Sequence, residues 1–251
     1  MSITHSIERV VRRLETRAPL DEADREGLRA LPFVYRSLDA ATYIVREGET
    51  PEYCMMLLSG FAYRHKVTGQ GDRQILSVHM PGELLDLQNS FLAVADHNVQ
   101  ALTRVELASV PIAALQALAS SRPQIARAMW IDTLIDAAIF REWIVNVGRR
   151  DSLTRISHLL CEFALRLRAA GLGDEQGYTL PMTQEQLADA TGLTPVHVNR
   201  VLQELGRRSL IDRQKRAVTI VDWERLRRVG DFSSRYLHIE RGGPTTIESA
   251  A

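Results

Sequence analysis

The sequence predicts an α+β chain: an N-terminal double-stranded β-roll, a long helix, and a C-terminal winged helix-turn-helix. Three observations carry that prediction. Glycine-cornered, β-prone runs fill residues 33–110. An apolar helical pattern then runs unbroken from Pro123 to Val147. Two capped helices flank Thr191-Gly192-Leu193, with a pair of β-prone runs after them.

The elements follow in order. Residues 3–17 place Ile3, Ile7, Val10, Val11 and Leu14 at helical spacing. A second short helix follows Leu20, with Asp21 as N-cap and Ala23, Leu28 and Leu31 as apolar positions; Pro32 stops it. From Phe33 to about Val110, runs rich in Val, Ile, Tyr and Phe alternate with turn residues at intervals of roughly 8–12, the spacing of a small all-β unit. Gly48, Gly60, Gly69, Gly71 and Gly82 mark its corners, where positive φ is expected. Pro111–Ala119 reads as a short helix, and Pro123 as the first turn of the long one. Apolar residues cover more than one face of that long helix, so it needs two burial partners. One face lies on the β-roll. The other pairs with its copy in a second chain through Ile131, Ile135, Ala138 and Val145. A fully buried helix of one large domain is the alternative. Gly148-Arg149-Arg150 is a polar break and the candidate hinge. Asp151 then caps a helix with Leu153, Ile156, Leu159, Leu160, Phe163 and Leu167 on one side, ending near Gly171. GLGDEQG is a loop. The expected domains are a sensor roll (1–120), a dimerisation helix (121–148), the winged helix-turn-helix (149–230) and a C-terminal tail (231–251) that is polar and frayed after Tyr236.

Composition narrows the function classes. The chain has 251 residues, 45% apolar and 25% charged, which is ordinary for a folded protein and excludes collagen-like or disordered chains. Its longest apolar runs, such as Cys54–Leu58 and Phe91–Ala95, are about five residues, against about 20 for a membrane span. The start, MSITHSIERVVRRLE, has no apolar leader core. A cytoplasmic protein with no membrane partner is expected. Cys54 and Cys161 fit buried free thiols in a reduced compartment, and they are too few for a thiolate zinc site or an iron–sulfur cluster. No metal site is assigned. Basic and acidic residues number 31 each, yet residues 1–148 carry net −3 and residues 149–228 net +4. The basic part suits a polyanion.

Residues 181–210 carry the function. Thr183 and Gln186 form a capping box ahead of a helix from Gln184 to Ala190. Thr194 caps a second helix with Pro195 in its first turn, running to about Arg207 and burying Val198, Val201, Leu202 and Leu205. Two short helices across a glycine turn are the helix-turn-helix geometry, whose second helix enters the DNA major groove. Its outward face presents Val196, His197, Asn199 and Arg200 to base edges. Arg200 matches guanine O6 and N7, Asn199 an adenine or a phosphate, His197 a base edge or a phosphate, and Val196 a thymine methyl. Thr183, Gln184 and Thr194 suit backbone phosphate. Two β-prone runs, 210–212 and 217–221, flank Arg213-Gln214-Lys215-Arg216 as a wing, so Arg213, Lys215 and Arg216 also meet phosphate. Asp222 caps a last helix with Trp223 and Leu226 inward.

This order of elements resembles the Crp/Fnr family of bacterial transcription regulators over about residues 20–225. Gly48-Glu49, Gly60 and Pro81-Gly82-Glu83 look like the family's cyclic-nucleotide-type roll. TQEQLADATGLTPVHVNRVLQEL looks like its DNA-reading element. The resemblance implies a homodimer on a palindromic double-stranded operator, contact with RNA polymerase, and an effector pocket near Gly82 and Glu83. It also implies departures. Cyclic-nucleotide binders of the family place an Arg-Ser pair on the phosphate; here that region reads Ala95-Asp96-His97-Asn98, and Asp96 would repel a cyclic phosphate. The cysteines of the oxygen-sensing branch are missing. His65, His79 and His97 leave haem-type sensing open, and no cofactor is assigned. The family's usual reading glutamate is replaced by Val196, so its familiar cytosine contact is not expected. Competing classes are a cupin-type metalloenzyme, which lacks the H-x-H ligand pattern, and an adaptor whose helix pair binds protein instead of DNA. Catalysis is not expected.

Overall fold

The computed structural model of this chain describes residues 3–173 and 177–239. The predicted fraying of 240–251 lies outside the described residues, as does the centre of the GLGDEQG loop. Two helices open the chain, α1 (Ile3–Glu15) and α2 (Glu22–Arg29). The Asp21 carboxylate accepts from the Asp24 amide at 2.7 Å, and Asp24 returns the bond, so α2 starts where the cap dictates.

The β-roll has two four-stranded antiparallel sheets. One orders β1 (Val34–Leu38), β8 (Val105–Pro111), β3 (Tyr53–Ser59) and β6 (Leu84–Leu85). The other orders β2 (Tyr43–Val45), β7 (Asn98–Ala101), β4 (Ala62–Val67) and β5 (Arg73–His79). Leu57, Leu85, Val99, Val105 and Leu107 fill the space between them. Four of the five predicted corner glycines have positive φ; Gly69 does not, because the turn places its left-handed residue at Gly71. Gly60 has the tightest corner, with φ +77° and an added Cβ only 2.1 Å from the Arg104 carbonyl oxygen. Gly60→Ala combines backbone strain with a clash against main chain, so a loss of at least about 2 kcal/mol is expected in urea unfolding.

Then follow α3 (Ile112–Ser121), α4 (Pro123–Arg149) and α5 (Ser152–Ala169). The last part holds β9 (Gly177–Thr179), α6 (Gln184–Thr191), α7 (Pro195–Arg207), β10 (Ile211–Gln214), β11 (Ala217–Ile220) and α8 (Trp223–Val229). β9 was not anticipated from sequence; it pairs Tyr178 with Val218 and makes the wing a three-stranded sheet.

The faces of α4 differ from expectation. Ile135 and Ala138 are buried in their own subunit and Ile131 is half-buried; of the four predicted dimer residues only Val145 is exposed. The open apolar side is instead Trp130 (65% exposed), Leu134 and Ile144 (71%). Ile135, Ile139 and Trp143 turn inward to meet the roll and α5.

The predicted hinge is a packed corner. Arg150 binds Glu142 at 2.6 Å and Asp231 at 3.2 Å, and Arg155 donates to the Arg150 carbonyl at 2.9 Å. Beyond the corner, α5 and α6 pack on the roll itself: Tyr63, Ile75, Val78 and Met80 share one core with Leu159, Phe163 and Leu187. The tail also begins packed, with Phe232 and Leu237 buried.

Candidate DNA interface

α6 begins with the predicted reciprocal cap. The Gln186 amide donates to Thr183 Oγ1 at 3.2 Å, and the Thr183 amide donates to Gln186 Oε1 at 2.9 Å. Gly192 ends it at φ +64°, a left-handed conformation that suits glycine, and a Cβ there would sit a tight 3.3 Å from the Val147 side chain. Thr194 Oγ1 then accepts from the His197 amide at 3.2 Å and starts α7, with Pro195 in the first turn. Val198, Val201, Leu202 and Leu205 are buried against α5 and α6, which fixes the opposite face outward.

That face carries Val196 (71% exposed) and Arg200, with His197 and Asn199 half-buried beside them. Gln184 also has a partner within the unit. Its Nε2 donates to Asn199 Oδ1 at 3.2 Å, so it steadies a reading residue from the neighbouring helix. The wing tip turns at Lys215, φ +56°, leaving Lys215 and Arg216 exposed. Arg213 is half-buried and folds back, donating to the Lys215 carbonyl at 2.8 Å. Asp222 caps α8 by accepting from the Arg225 amide at 3.0 Å.

Sequence reasoning missed the residues that hold this unit in place. Arg155 donates to the Thr191 carbonyl at 2.5 Å and so ties the turn to α5. Arg73 on β5 binds Asp189 on α6 at 2.7 Å. A buried chain of charges runs deeper. Asp132 on α4 takes Arg13 at 3.1 Å and Arg17 at 2.9 Å. Arg13 and Arg166 each reach Glu83 at 3.2 Å, and Arg166 also binds Glu162 at 3.0 Å. Trp143 Nε1 and Tyr236 Oη donate to Glu162, which is fully buried. Burial alone would raise the Glu83 carboxyl, but Arg13 and Arg166 outweigh it and hold it well below the usual range. The only sequence signal for these pairs was a charge at a position surrounded by apolar neighbours.

The predicted effector corner is therefore corrected. Glu83 is occupied by Arg13, Arg166 and His79, and Gly82 lies under the Arg9 main chain. A different cavity, of about 730 Å³, opens between β5 and α4. Ile75, Phe140, Ile144 and Val147 line its apolar part. Arg64, Asp96, His97 and Asp136 line its polar end. Arg64 is already matched by Asp86 at 3.0 Å and Asp136 at 2.9 Å. His97 lies between Asp86 at 2.8 Å and Asp96 at 2.5 Å. Burial would raise the Asp86 carboxyl, yet His97 and Arg64 bring it down to about 2. Carboxylates outnumber cations at this end, a poor setting for a cyclic phosphate.

The three histidines have separate surroundings. His65 sits between the Tyr43 and Tyr63 rings, where burial lowers it to about 4 and its Nδ1 has no hydrogen-bond partner. His79 contacts Ser77 and Glu83. Among the described residues no group of three or more His, Cys, Asp or Glu is arranged to hold a metal ion, and no helix is long and apolar enough to cross a membrane. Both cysteines are buried and free; burial pushes each thiol up to about 12.

Comparison with known proteins agrees with this geometry. Residues 154–229 match the family described as the Crp-like helix-turn-helix domain, and residues 35–122 match the cyclic nucleotide-binding domain. Over 216 residues the chain is 26% identical to the transcriptional activator protein FnrL of Cereibacter sphaeroides, covering 84% of this chain and 86% of that one. It is 29% identical over 187 residues to the nitrogen fixation regulation protein FixK of Rhizobium meliloti, covering 73% and 81%. The solved structure of FixK2 from Bradyrhizobium japonicum is similar in fold, with a TM-score of 0.73 at 24% identity, over 79% of this chain and 98% of that one.

Proposed function

This chain belongs to the Crp/Fnr family of DNA-binding transcription regulators, and from that premise we propose how it grips its operator. It works as a homodimer, each copy placing α7 in the major groove of one half of an inverted repeat, the two helices about 34 Å apart. The observation that carries this reading is the outward face of α7, open at Val196 and Arg200 on a helix whose other side is core. Arg200 reads guanine, Asn199 and His197 a base edge or phosphate, and Val196 a thymine methyl. Thr183, Thr194, Lys215 and Arg216 take phosphates, and Gln184 does so while bracing Asn199. Arg213 holds the Lys215 carbonyl through Nε, and its terminal guanidinium nitrogens take phosphate.

Arg200→Ala is expected to cost about 1–3 kcal/mol at one base pair per half-site and to relax preference there. Binding to operators randomised one position at a time checks it. Equal weakening on every sequence would reduce Arg200 to a phosphate contact.

The dimer seam is the exposed side of α4. Trp130, Leu134, Ala137, Arg141, Ile144 and Gly148 recur at steps of four and three, the spacing of a two-helix coiled coil. The same side borders the cavity, since Ala137, Ile144 and Gly148 line it. A partner's α4 would close that cavity, so an effector held there would touch the seam and bias the spacing of the reading helices. The protein acts in the cytoplasm, regulates without catalysing a reaction, and contacts RNA polymerase. That the similar protein FnrL of Cereibacter sphaeroides is a transcriptional activator supports the last point.

A further inference from the structure

Arg141 is the charged residue of the proposed seam between Trp130 and Gly148. We propose that the two Arg141 guanidiniums of the dimer face each other across its twofold axis and form a binding site for a doubly charged inorganic oxyanion, sulfate or phosphate. The proposal rests on the α4 seam described above.

In the coiled-coil register, Leu134, Arg141 and Gly148 take one core position, and Trp130, Ala137 and Ile144 the other. The flanking positions are Ile131, Ala138 and Val145 on one side and Thr133, Phe140 and Val147 on the other. Arg141 is the only charged residue at any of these positions. The carboxylates of α4 lie elsewhere on the helix and are engaged within the subunit: Asp132 by Arg13 and Arg17, Asp136 by Arg64, Glu142 by Arg150. Arg141 is exposed, with no hydrogen-bond or ion-pair partner among the described residues. No carboxylate of α4 is thus placed to cross the seam and meet it.

In a parallel pair, residues at its core position lie side by side, so Arg141 meets its own symmetry mate. A guanidinium cannot shed its proton to escape. The small Ala137 in the layer before it leaves space beside Arg141, while Ile144 closes the layer after it. Each guanidinium presents a planar fork of donors that matches the edge of an oxyanion, and two forks from opposite sides suit a tetrahedral dianion. Empty, the layer opposes association; filled, it joins the two copies.

The test is sedimentation velocity of the full chain over a dilution series, at one ionic strength, in chloride, sulfate or phosphate. Sulfate and phosphate should tighten wild-type dimerisation at least about tenfold over chloride, or about 1.4 kcal/mol. Arg141→Leu should dimerise at least about tenfold more tightly than wild type in chloride and lose the distinction between anions. The leucine variant also removes any general salting effect of sulfate on apolar burial, which would act on both proteins alike. Wild type matching Arg141→Leu in every anion overturns the proposal. So does an anion response that survives in Arg141→Leu, which places the ion elsewhere. Leu134→Glu separates this from the seam itself. If it leaves the dimer intact, the seam reading has failed. If it breaks the dimer while Arg141→Leu behaves as wild type, only the anion site has failed.

Discussion

Glu83→Gln is expected to lower folding stability by about 3 kcal/mol at pH 7, read as a shift in the urea midpoint without a change in slope. Glu83 is the shared partner of Arg13 on α1 and Arg166 on α5. Removing one partner of a buried pair costs about 3–5 kcal/mol, because the remaining charge is left without compensation. Asp132 still holds Arg13 and Glu162 still holds Arg166, which places the effect at the low end. The pH dependence has a definite sign. The folded carboxyl lies well below the value near 4.3 of an unfolded chain, so its contribution is fully present above that value. It is lost as pH falls through the lower folded value. The gap between wild type and Glu83→Gln should therefore hold from pH 7 to about 5, begin to narrow near 4 and vanish only below the folded value. A gap unchanged in acid would mean that Glu83 is not an ionised centre.

Leu134→Glu is expected to have the largest effect on function. Leu134 is exposed in the single subunit, so the variant should fold normally by circular dichroism. In the seam it would bury two facing carboxylates. The protein should run as a monomer, and affinity for a full palindrome should fall by about 100-fold or more, because two linked half-site contacts become one. Affinity for an isolated half-site should change little. Full-palindrome binding that survives unchanged would move the dimer contact away from this side of α4.

The helix-turn-helix was legible because its determinants are local. Thr183 and Thr194 each cap an amide three residues on, and Gly192 takes a conformation that its own missing side chain permits. The seam was not legible in the same way. α4 is apolar nearly all round, and only its packing on the roll decides that Ile135 and Ala138 go inward while Trp130, Leu134 and Ile144 stay out. Distance along the chain hid the rest. β9 exists because of β11, and Glu83 meets arginines far away in either direction. The bond from Gln184 to Asn199 was hidden because nothing in its own helix announces Asn199 across the turn. The large cavity escaped notice for a related reason: its walls come from β5 and α4, which are far apart in sequence.

Because α5 and α6 share a core with β4 and β5, the sensing and reading halves are not beads on a string. Severing the chain at the Gly148 corner would strip cover from Ile75, Val78 and Met80 on one fragment and from Leu159 and Phe163 on the other. Each fragment would display a sticky, dehydrated surface to its neighbours. In the proposed dimer the same union would make each subunit a stiff lever, so that a signal at the roll would swing the whole arm about the twofold axis rather than flex an elbow within it.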